Sequence, residues 1–88
     1  MVQKMLYGRP PQELWIAVLH RACLDAMLDD NIKKGDLPIA RDDARQWFSE
    51  GGEDFRAVCS FAGFDPDAVQ EAYKNGDIAR YIRVRTSI

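Results

Sequence analysis

Three residues in this chain could hold a metal ion. His20 and Cys23 stand three apart, on one side of any helix that contains them, and Cys59 could join them. Zinc sites usually include a close cysteine pair among their ligands. Here there are only two cysteines, far apart in sequence. They are expected to be reduced core thiols, with His20 at a solvent edge and no bound metal or cofactor. Carboxylates occur in adjacent pairs at Asp29-Asp30, Asp42-Asp43 and Glu53-Asp54. Neighbouring residues on a helix do not face the same way, so such pairs do not share a proton. Ser49, Ser60, Thr86 and Ser87 show no company of a base together with an oxyanion donor. Nucleophilic catalysis needs a nucleophile, a base and an oxyanion donor in mutual reach. There is no glycine-rich phosphate loop. The chain is therefore expected not to be an enzyme.

Binding chemistry is better represented. Trp15 and Trp47 could stack bases, but both lie on apolar helical stripes and are expected to pack in the core. Residues 1–73 carry eight basic and thirteen acidic side chains, a balance of −5; residues 74–88 carry four basic and one acidic, a balance of +3. Lys74, Arg80, Arg83 and Arg85 are thus the candidates for contacts with DNA phosphates. A basic end on an acidic body can equally pair with its own body. Asp65, Asp67 and Glu71 form an acidic helical surface that suits a basic protein partner.

The elements that must position these groups can be read from spacing. Pro10 and Pro11 mark a helix start. Leu14, Trp15, Val18, Leu19, Ala22, Cys23, Ala26 and Met27 then recur at three and four residues, giving one broad apolar face. This helix is expected over about 11–30. A second, over 39–49, carries Ala40, Ala44, Trp47 and Phe48 and stops at Gly51-Gly52. A third, over 53–62, buries Phe55, Val58, Cys59 and Ala62 and is capped by Gly63. Asp65-Pro66 starts a fourth, with Asp65 accepting a hydrogen bond from a free backbone N–H. Asn75-Gly76 ends it. Residues 77–88 allow a helical turn through Ile78, Tyr81 and Ile82, or a strand through the alternation of YIRVR. A short helix with a frayed end is preferred, because no partner strand is evident.

The chain is therefore expected to be all-α, a small four- or five-helix bundle with a helix-turn-helix-like segment. Residues 1–10 read as an extension, 11–76 as the helical domain and 77–88 as a basic tail. Trp15, Val18, Ala22, Trp47, Phe55, Val58, Cys59, Ala62 and Val69 are the expected core. With 88 residues, the domain is small enough to gain from a partner or from self-association. No apolar run reaches the roughly 18 residues of a membrane span, and MVQKMLYGRPPQ does not read as a secretory signal. Buried, unpaired thiols point to a reducing, cytoplasmic setting.

Ala44, Trp47, Phe55, Val58, Cys59, Ala62, Gly63, Asp65, Pro66 and Val69 carry a resemblance. Over roughly residues 13–73 the chain resembles short helical proteins of bacteriophages, prophages and gene-transfer-agent clusters. These combine a tryptophan helix with a "VC-x-x-AG-x-DP-x-x-V" turn. The turn also looks like the DNA-contacting part of small terminase subunits, which usually add an oligomerising segment. The resemblance implies a helical fold and a phage-type accessory role, in DNA packaging or gene control, with weak association to double-stranded DNA. The alternative is a protein-binding adaptor or inhibitor of a host protein, acting through the acidic surface. A third reading is a structural homo-oligomer.

Overall fold

The computed structural model describes the backbone of residues 11–86 and the side chains of residues 11–84. The expected extension over residues 1–10 lies outside the described residues. Among the described residues five helices follow in order: α1 Gln12–Ala26, α2 Leu37–Glu50, α3 Glu53–Phe61, α4 Pro66–Lys74 and α5 Ile78–Thr86. The protein is all-α. Helix α1 lies against α2, α3 and α5, and α4 lies against α2, α3 and α5.

One core unites all five helices. Leu19, Cys23, Phe48, Phe55, Cys59, Val69 and Ile82 are its largest fully buried side chains. Phe48 stacks on Tyr73 with ring centroids 4.9 Å apart, and meets Phe55 edge-on at 5.8 Å. Trp47 crosses Phe55 edge-on at 5.1 Å. Such aromatic pairs add to the burial of large apolar area.

Glycine and proline divide the chain as their backbone chemistry dictates. Gly63 has φ of 88°, a left-handed geometry that costs glycine no steric penalty. It lets the Phe64 N–H return to the Cys59 carbonyl at 2.8 Å, closing α3. Phe64 is buried beneath that turn. Asp65 Oδ1 then accepts from the Asp67 N–H at 3.0 Å, and Pro66 opens α4.

Two expectations need correction. Helix α1 ends at Ala26, four residues early. Beyond it the Asn31 N–H donates to Asp29 Oδ1 at 2.9 Å, a local bond that competes with helix. Two arginines of α2 also take the carbonyls of this segment. Arg45 donates to the Ala26 and Leu28 oxygens, each at 2.8 Å; Arg41 donates to those of Asp29 and Asp30, at 3.0 and 2.8 Å. Val18 is the second correction. It is 39% exposed, because the inward line of α1 runs through Leu19, Cys23 and Ala26 and leaves Leu14, Val18 and Met27 at the margin of a broad stripe. Trp15, Ala22 and Trp47 are partly buried and pack against the core.

Residues 78–86 are helical rather than extended. Ile78 and Ile82, one turn apart, are buried in the same core, so the segment read as a tail packs on the body through its apolar face. No helix among the described residues is long and apolar enough to cross a membrane.

Candidate functional site: the groove between α4 and α5

The two helices that carry most of the candidate binding residues form the walls of one groove, of about 530 Å³. Ala68, Glu71, Ala72 and Asn75 line it from α4 and the residue that caps it. Asp77, Arg80, Tyr81 and Val84 line it from α5 and the residue just before it. Each set follows the spacing i, i+3, i+4, i+7, which is one face of a helix over two turns. Gly76, with φ of 80°, turns the chain between them. The Asp77 N–H closes that turn on the Ala72 carbonyl at 2.8 Å. The floor is small and apolar at Ala68 and Ala72. Glu71, Asp77 and Arg80 are exposed around it.

The candidate residues divide sharply. Glu71, from the acidic set, and Arg80, from the basic set, line the same groove. Among the described residues no ion pair engages either of them, or Asp77. Asp67 instead pairs with Arg56 across the α3–α4 turn, at 2.9 Å. Asp65 is occupied as the cap of α4. Lys74 and Arg83 are exposed. Arg85 belongs to α5, but its side chain lies outside the described residues.

Gln70 is the uncharged polar side chain in the middle of α4, the second helix of the α3–turn–α4 succession. It points at the fold rather than at solvent. Its Nε2 donates to the carbonyls of Phe48 and Ser49, both at 3.0 Å, and so caps the end of α2. Gly51, φ 58°, sits beside that amide; a Cβ there would collide with it. The face left open on α4 carries Asp67, Glu71 and Lys74, an acidic balance.

Sequence reading missed Ala68, Asn75, Asp77, Tyr81 and Val84 as neighbours of Glu71 and Arg80. The signal was present in the repeated four-residue spacing on either side of Gly76. It becomes legible once residues 78–86 are taken as a helix.

The remaining candidates stand apart. His20 is exposed while Cys23 and Cys59 are buried. Burial pushes the Cys59 thiol up to about 12 and raises that of Cys23. Both thiols are therefore protonated near neutral pH, and the thiolate is the form that attacks or binds metal. Among the described residues no group of three or more His, Cys, Asp and Glu side chains is arranged to hold a metal. Trp47 Nε1 donates to Asp54 Oδ2 at 2.9 Å. Trp15 packs on Phe61, ring centroids 5.1 Å apart, and its buried Nε1 has no acceptor among the described residues. Neither indole is laid open as a stacking platform. A shallower depression of about 300 Å³ lies between α1 and α2, beside Ala22, Asp25 and Trp47.

Comparison with known protein families, curated proteins and solved structures finds no match.

Proposed function

We propose that this protein is a non-enzymatic protein-binding module, and that the groove between α4 and α5 receives helical segments of another polypeptide. The groove itself carries the reading. It combines a floor of small side chains, which lets a helix approach closely, with rim charges that no ion pair among the described residues engages. This is the arrangement in which an amphipathic helix lays its apolar face into a groove. The rim charges fix register and steer approach more than they add affinity.

The same geometry weakens base reading by α4. Its central polar residue, Gln70, caps α2, and its exposed charges, Asp67, Glu71 and Lys74, are mainly acidic. Phosphate contact through Lys74, Arg80, Arg83 and Arg85 is the competing reading, and it has a distinct signature. Each phosphate contact carries about 0.9 log unit of affinity per log unit of salt.

A displayed library of amphipathic helical peptides, selected on the immobilised protein, tests the proposal. Binders should place a cation opposite Glu71 or Asp77 and should lose at least about tenfold in affinity, roughly 1.4 kcal/mol, against Glu71→Lys and Val84→Glu. Peptides that bind wild type and variants alike would contradict a groove site. Steeply salt-dependent binding of duplex DNA, lost on Arg80→Ala with Arg83→Ala and Arg85→Ala, would replace it with the phosphate reading.

A further inference from the structure

The groove has a property that a general docking surface does not need. Counted outward from Gly76, its lining residues stand in matched positions. Asn75 and Asp77 lie one step away, Ala72 and Arg80 four, Glu71 and Tyr81 five, and Ala68 and Val84 eight. A two-fold axis running along the groove would lay the α4 wall of one copy on the α5 wall of another. In an isologous contact of this kind every interaction occurs twice.

We infer that the groove is self-complementary and that its occupant is the α4–α5 hairpin of a second copy of this chain. The inference rests on the docking reading and names the partner for it. Two observations carry it. The first is shape: Val84 projects with 64% of its surface exposed, and the position that the two-fold sets opposite it is Ala68, whose side chain ends at Cβ. A knob and a hole therefore lie on one patch. The second is charge. The rim holds both signs, Glu71 and Asp77 against Arg80, with none of the three in an ion pair among the described residues. A uniformly basic partner would meet Arg80 with repulsion. The two-fold copy instead sets Arg80 opposite the turn that carries Glu71, twice, and leaves no like charges facing.

Sedimentation equilibrium of the full chain tests this through a charge exchange in trans. Wild type should show a concentration-dependent monomer–dimer equilibrium. Arg80→Glu alone places like charges opposite each other at both symmetric contacts, and so does Glu71→Arg alone. Each variant should weaken self-association at least about tenfold. Mixed in equal amounts, the two variants should recover the dimer, because both pairs in the mixed species are again opposite in sign. Val84→Glu should weaken association to a similar degree and should not be rescued by either variant. Circular dichroism should confirm that all three, altered at exposed positions, remain folded.

A wild-type protein that stays monomeric at every concentration would overturn the inference, as would a dimer indifferent to all three substitutions. If the monomer still binds groove-dependent peptides, the second copy is the wrong partner and the docking reading stands. If the dimer is indifferent and no peptide depends on the groove, both fall.

Discussion

The corner where α1 meets α2 and the hairpin of α4 and α5 have similar raw materials. Each places arginines near aspartates or glutamates beside a helix end. At the corner, both arginines of α2 are engaged within the chain. Arg45 donates to two carbonyls and to Asp30 at 2.6 Å; Arg41 donates to two carbonyls and to Asp42 at 2.8 Å. These arginines hold Asp30 and Asp42 below the ordinary carboxylate range, chiefly through the hydrogen bonds themselves. At the hairpin, Glu71, Asp77 and Arg80 face a groove with no ion pair among the described residues. Charge content does not separate the two regions. The presence of backbone carbonyls for the arginines to reach does. Charge in the corner closes a helix end, while Glu71, Asp77 and Arg80 in the hairpin enter no ion pair among the described residues.

Five substitutions test this contrast. Phe48→Ala should have the largest effect, because Phe48 is fully buried and joins α2 to α4 through Tyr73. The loss should be about 3–5 kcal/mol in denaturant unfolding, and both regions should fail together. The same change at Trp47, which sits at the core edge, should cost less. Arg45→Ala comes next. It removes donors from the Ala26 and Leu28 carbonyls and should cost about 1–2 kcal/mol, with amide exchange accelerated first in residues 24–32.

The Arg45 effect should itself depend on pH. Asp30 has a depressed carboxyl pKa in the folded protein, so its pairing contributes stability above the unfolded value and loses it as pH falls through the folded one. Unfolding of wild type and Arg45→Ala, compared from pH 7 down to about 2, should therefore show a gap that narrows below the ordinary carboxylate range. A constant gap would assign the whole effect to the carbonyl contacts. The smallest effect belongs to the hairpin. Arg80→Ala and Glu71→Ala should each leave thermal stability within about 0.5 kcal/mol of wild type. A larger loss would mean that these charges serve the fold after all.

Most of the fold was legible because its punctuation is local. Gly51, Gly63 and Gly76 take left-handed geometry, and Pro66 with Asp65 opens α4. Each acts through its immediate neighbours, so residue type suffices. The end of α1 was not legible, since it depends on arginines eleven to nineteen residues further along the chain. Val18 was misplaced for a related reason. Periodicity marks a stripe, but packing against α2 and α3 decides which line of that stripe is central. For the site, residue types showed Glu71 and Arg80 as separate candidates on separate segments. Their common groove depends on residues 78–86 being helical, and the buried pair Ile78 and Ile82 fits that helix better than the alternation of YIRVR fits a strand.

If two copies of this chain meet through the α4–α5 groove, dilution should alter the surroundings of that groove and leave the α1–α2 corner unchanged. A dilution series of amide chemical shifts, recorded residue by residue on the labelled protein, tests it most directly. Concentration-dependent shifts should gather at Ala68, Glu71, Ala72, Arg80 and Val84 and be absent from Ala26, Leu28, Arg41 and Arg45. Shifts centred on the corner, or none at any concentration, would contradict the pairing of two copies through the groove.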